Sequence, residues 1–71
     1  MEHYELIQKE LLQKIKDRRI EMHISQQDLA EMAGISRMNY VRIEREDYSL
    51  SLKTLIKICS VLGLRLQIEE N

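Results

Sequence analysis

The stretch SQQDLAEMAGISRMNY, residues 25–40, limits the possible folds more than any other part of this chain. Two serines, Ser25 and Ser36, each open a short amphipathic run, and a single glycine, Gly34, separates the runs. A serine hydroxyl at such a position accepts a hydrogen bond from a backbone N–H in the first helical turn, so each serine reads as an N-cap. Asp28, three residues after Ser25, suits a variant of the capping box and the positive end of the helix dipole. Glycine adopts a positive φ at little cost, so the chain can turn sharply at Gly34. Leu29, Ala30 and Ala33 form the inward face of the first run. Ile35, Tyr40 and Ile43 point inward from the corner and the second run, which extends to about Arg45. The expectation is two short helices that meet at a steep corner.

The rest of the chain supplies the body on which that corner stands. Tyr4, Ile7, Leu11, Leu12, Ile15 and Met22 recur at helical spacing and predict a long first helix over residues 4–22. His23 and Ile24 leave it, and histidine tolerates a left-handed turn better than most residues. Residues 46–49, Glu46-Asp47-Tyr48-Ser49, read as a loop. Ser51 caps a further helix with Leu52, Leu55, Ile58, Cys59 and Leu62 inward, and Gly63 ends it. With no proline and only two glycines, the composition favours an all-helical fold of four to five helices.

The last segment changes period. Leu64, Leu66 and Ile68 alternate with Arg65, Gln67 and Glu69, which is the pattern of a half-buried strand over residues 64–69. No other segment reads as a strand, and a lone strand leaves its backbone groups unpaired. The economical partner is the same strand of a second chain, paired about a two-fold axis. A frayed tail is the alternative.

Seventy-one residues make one domain, residues 1–71, with a modest core. Domains of this size often need a disulfide, a metal or a partner chain. The lone Cys59 rules out a disulfide within the chain. His3, His23 and Cys59 stand far apart and read as a surface residue, a turn residue and a core thiol, so no metal or cofactor is expected. A homodimer remains as the reinforcement. Neither a signal peptide nor a long apolar run is present, so the expectation is a cytoplasmic protein without membrane contact. No glycine-rich phosphate loop, catalytic triad or metal set suggests an enzyme.

The net charge of −1 looks wrong for a nucleic-acid binder, but its distribution matters more. All 11 lysines and arginines lie between Lys9 and Arg65, while Glu2, Glu5, Glu69 and Glu70 sit at the ends. A local patch sets the field at a binding surface more than the total does. A mixed, soluble surface is the other reading of the same charges.

A short helix, a glycine-containing turn and a second helix crossing steeply are the parts of a helix-turn-helix. In that motif the corner holds the later helix proud of the body, where it can enter a DNA major groove. Such a corner can also be purely structural. Here the residues go further. ISQQDLAEMAGISRMNYVRIER resembles the Cro and lambda-repressor-like (XRE) helix-turn-helix family, through Gln26 after the cap, Leu29-Ala30, Gly34-Ile35-Ser36 and Ile43-Glu44. SLKTLIKICSVLGL resembles the family's following helix. The likeness covers residues 14–64. Glu46 stands where the family often has glycine.

The resemblance implies a compact lambda-repressor-like bundle that binds double-stranded DNA and regulates transcription. The expected protein is a homodimeric repressor, often of its own gene, that reads an inverted repeat. It implies that Ser25, Gln26 and Gln27 face the DNA backbone at the start of the second helix. Ser36, Arg37, Met38, Asn39 and Arg42 fall on the base-reading helix. Arg37 and Arg42 are each suited to a bidentate pair with guanine or to a phosphate clamp. Met38 suits a thymine methyl, Asn39 a phosphate or an adenine edge, and Lys53 a backbone contact. Arg19 and Glu44 match a pair that joins the first and third helices in the family, a structural role. The loop EREDYSLSL, the helix KTLIKICSVLGL and the alternating tail LRLQIEE also resemble the antitoxin branch whose partners are HipA-type kinase toxins, and the alternative function this implies is an antitoxin that binds and neutralises a kinase-like toxin. There the strand of Leu64, Leu66 and Ile68 would join two protomers, and a cognate toxin would be a further partner.

Overall fold

The computed structural model describes residues 2–45 and 50–70. Among these residues the chain forms four helices: α1 (Glu2–Glu21), α2 (Gln26–Ala33), α3 (Arg37–Glu44) and α4 (Leu52–Val61). The expected loop at 46–49 lies outside the described residues.

The three shorter helices start alike. The Oγ atoms of Ser25, Ser36 and Ser51 accept the N–H groups of Asp28, Asn39 and Thr54 at 3.0, 3.1 and 3.1 Å. Each bond satisfies a donor that the first helical turn leaves without an internal partner.

Three helices also stop alike. His23, Gly34 and Gly63 have φ of 58°, 73° and 67°. In each case the next residue folds back on its helix. Ile24, Ile35 and Leu64 donate their N–H groups to Arg19 O, Ala30 O and Cys59 O at 3.1, 2.9 and 2.8 Å. This closure usually carries an apolar contact from the folding-back residue. Ile24, Ile35 and Leu64 are indeed half-buried against the core. A Cβ at Gly34 would meet nothing within 4 Å. Glycine is therefore favoured there by its φ and not by lack of room.

The core takes residues from all four helices. Leu12 and Ile15 of α1 meet Leu29, Ala30 and Ala33 of α2, Tyr40 and Ile43 of α3, and Ile58 of α4 with the adjoining Leu62. Cys59 is buried too. Full burial of each Leu or Ile stabilises the fold by roughly 1.5–3 kcal/mol.

Several residues expected to point inward do not. Tyr4, Ile7, Leu11 and Met22 are exposed, Ile7 by 58%. Met22 lies past the last residue of α1, in the turn; for Tyr4, Ile7 and Leu11 the cause is a mismatch of length. At about 1.5 Å per residue, the 20-residue α1 greatly outruns partners of 8 to 10 residues. Only its second half finds a core to cover. Leu52, on the first turn of α4, is also exposed, and Leu55 is half-buried. The tail forms no strand among the described residues. Leu64 packs on the core, Leu66 is exposed, and Ile68 is 98% exposed. A single chain offers this segment no second strand edge, so no ladder forms within it. Among the described residues no helix is long and apolar enough to cross a membrane.

Candidate nucleic-acid interface

The geometry of this face starts from one buried carboxylate. Glu44, the last residue of α3, has a side chain only 5% exposed, and Arg19 of α1 is 12% exposed. Arg19 Nε donates to Glu44 Oε2 at 2.7 Å, and its Nη2 to Oε1 at 3.3 Å. The third arm of the fork, Nη1, donates to Ile24 O at 2.8 Å. Gln26 Nε2 donates to Glu44 Oε1 at 3.0 Å, and the Tyr40 hydroxyl donates to Oε2. Three helices thus converge on one group. The last turn of α3 is held against the first turn of α2 and the last turn of α1.

Two members of this cluster escaped the reading of the sequence. Tyr40 is recognisable as a core residue. A signal for its role existed, since a buried phenol needs a partner and Glu44 lies four residues on along the same helix. The resemblance implies that Gln26 faces the DNA backbone. Its amide nitrogen turns inward to Glu44, which leaves the amide oxygen as its other polar atom.

These bonds shift the titration of the cluster. Burial alone would raise the Glu44 carboxyl, but the hydrogen bonds from Arg19, Tyr40 and Gln26 outweigh it and the net shift is downward. Burial, then the bond to Glu44, pushes the Tyr40 phenol well above its ordinary range. The bond to Glu44 also raises Arg19 against the opposing effect of burial. A depressed carboxyl contributes stability that is present above its unfolded value near 4.5 and is lost as pH falls through the folded value. A raised phenol contributes stability that is present below 10.0 and is lost as pH climbs toward the folded value. We therefore expect melting temperature to decline on both the acid side of pH 4.5 and the alkaline side of pH 10.0. Melting curves of the wild type and Glu44→Gln across pH 2–8 isolate the acid limb. An identical acid decline in both proteins would assign it to other carboxylates.

Anchoring one side of α3 turns the other side outward. Tyr40, Ile43 and Glu44 face the body. At about 100° per residue, the opposite face carries Met38, Arg42 and Arg45, flanked by Arg37 and Asn39. Met38 is 67% exposed, Arg37, Arg42 and Arg45 are exposed, and Asn39 is half-buried. None of these three arginines forms an ion pair among the described residues. In the sequence Arg45 marks only the end of the helix. Its place on this face follows from the same periodicity that identified Arg42.

The helix starts complete the surface. Ser25, Gln27, Ser36 and Lys53 are exposed. Gln27 Nε2 donates to Glu31 at 3.3 Å. Ser25 and Ser36 have their oxygens engaged in capping, while the first N–H groups of each helix precede the capped ones and point out of the helix end. Because Gln26 and Glu44 are bonded, the start of α2 lies beside the last turn of α3, which carries Arg42. A basic row without an ion pair among the described residues, next to free backbone donors, suits a polyanion.

Comparison with known proteins shows the family of the chain. A helix-turn-helix family model matches residues 15–68. An uncharacterized HTH-type transcriptional regulator of Bacillus subtilis is 33% identical over 54 residues, covering 76% of this chain and 82% of that protein. A protein of the same description from Methanocaldococcus jannaschii is 35% identical over 54 residues, with the same coverage. No solved structure matches the chain significantly.

Proposed function

The chain belongs to the XRE-type helix-turn-helix family, and from that premise we propose that it is a sequence-specific DNA-binding transcriptional regulator. The observation that carries this reading is the outward face of α3, where exposed Met38 and Arg42 stand away from the Glu44 anchor and exposed Arg37 opens the helix. Arg37 and Arg42 take guanine edges or phosphates in the major groove, Met38 meets a thymine methyl, and Asn39 works at the margin. Arg45 joins them at the end of the row. Ser25, Gln27, Ser36 and Lys53 hold the sugar-phosphate backbone and set the register of the helix. Gln26 contributes by locking α2 to α3.

The protein acts in the cytoplasm as a homodimeric repressor. Two copies joined through their tails present two α3 helices about one DNA turn apart, ~34–36 Å, so the operator is an inverted repeat. A footprint upstream of the protein's own gene tests autoregulation.

The decisive experiment is Arg42→Ala, titrated against a selected operator and against random duplex at several salt concentrations. If Arg42 reads a guanine, specific binding weakens by about 1–3 kcal/mol and preference relaxes at one base pair. An equal loss on every sequence, with a shallower salt dependence, moves Arg42 to a phosphate. Unchanged binding on both duplexes would sink the docking of α3.

A further inference from the structure

The first half of α1 has no role in the reading above. Ile7 and Leu11 precede the family match, which begins at residue 15, and both are exposed. They are not isolated. Together with Leu52, Ile56, Leu66 and Ile68 they line one largely apolar groove of about 870 Å³, bounded by α1, α4 and the tail, whose Arg65 and Gln67 also border it in the single chain. That is room for several side chains. The tail beside it has a free edge. Beyond the bond from Leu64 N–H, residues 65–70 make no backbone–backbone hydrogen bond among the described residues.

We propose that the occupant of this groove is the tail of a second copy, and that the first half of α1 is the outer wall of the dimer interface. The proposal rests on the dimer reading above and adds its register and its third wall. Charge complementarity selects the register. In an antiparallel two-fold pair, directly opposite residues lie on the same face, so one residue sits on the axis, and the two central choices in the alternating stretch 64–69 are Leu66 and Gln67. With Gln67 on the axis, Arg65 stands opposite Glu69 of the other copy, twice per dimer, and Leu66 stands opposite Ile68. With Leu66 on the axis, Arg65 meets Gln67 and both ion pairs are lost. The first register satisfies the backbone edge, fills the groove with two apolar rows and pairs the charges on the outer face.

Sedimentation equilibrium of the full chain tests this. Ile7→Glu is expected to raise the dimer dissociation constant roughly 100-fold, because it places a charge in a dry interface. Circular dichroism of that variant at low concentration should match the wild type, since Ile7 lies outside the core. Arg65→Glu and Glu69→Arg should each weaken the dimer about tenfold by setting like charges opposite each other, and the double variant should recover it. A dimeric wild type that Ile7→Glu leaves intact overturns the α1 wall, and absence of recovery in the double variant overturns the register. In both cases the dimer itself stands. A monomeric wild type overturns this inference and the dimer reading together.

Discussion

Arg19→Ala is expected to melt roughly 10–20 °C below the wild type, one of the largest losses available from a single substitution in this chain. The loss arises from what the arginine leaves behind. Glu44 is 5% exposed and takes two of its bonds from Arg19. Without them a buried carboxylate keeps only Gln26 and Tyr40 as donors. Removing one partner of a buried pair costs about 3 kcal/mol, most of it the penalty for the charge left alone. A domain of this size has on the order of 5–10 kcal/mol of stability in total. Arg19→Lys should not rescue it. Arg19 makes three bonds in fixed fork geometry to two acceptor groups, and a point charge on a flexible stem cannot reproduce them. Lys16→Ala, on the exposed side of the same helix, should shift the melt by no more than about 0.5 kcal/mol. DNA affinity should fall with stability, because the same bonds fix the last turn of α3. An unchanged melting temperature in Arg19→Ala would mean that the Glu44 cluster does not hold the fold.

The corner was legible because its signals are local. A serine cap, a positive-φ glycine and a buried face of Leu29, Ala30 and Ala33 act within a dozen residues, and each constrains one backbone choice. The C-terminal closures at Gly34 and Gly63 belong to the same class. The similar closure at His23 was legible only in outline, since histidine is a weaker marker of a left-handed turn than glycine.

What was not legible depends on lengths and on partners. Periodicity in Tyr4, Ile7 and Leu11 identifies a helix and its apolar side correctly. It does not say whether another helix is long enough to cover that side, and α2 to α4 are too short. Leu52 fails for a related reason: it lies on the groove it shares with Ile7 and Leu11, which no other helix among the described residues covers. The Glu44 cluster was partly hidden because it joins residues 18 and 25 positions apart. The sequence places a carboxylate on α3, while only the packing of three helix ends brings Gln26 and Tyr40 to the same two oxygens.

Truncation after Leu64 is expected to halve the mass in solution and to weaken binding to a two-site operator by roughly 10²–10⁴-fold. The cut point follows from the closure of α4. Leu64 N–H bonds Cys59 O at 2.8 Å and its side chain packs on the core, so removing it would damage the fold and confuse the result. Residues 65–70 are exposed, and their loss should leave the melting temperature of the monomer within a few degrees of the wild type. The large effect on DNA has a different origin from any contact made by the tail. Once one head is bound, the linked second head searches a small volume, and its binding becomes an intramolecular step with an effective concentration in the millimolar range. A severed head loses that advantage while keeping its own contacts, so affinity for an isolated half-site should be nearly unchanged. The salt dependence should fall to about half the wild-type slope, because half as many phosphates are engaged in each complex. Equal sedimentation masses for the truncated and full chains would sink the tail as the dimer joint. Equal masses at the dimer value would then direct attention to the exposed Ile56 and Leu52 of α4, which with Ile7 and Leu11 of α1 line the apolar groove that remains when the tail is gone.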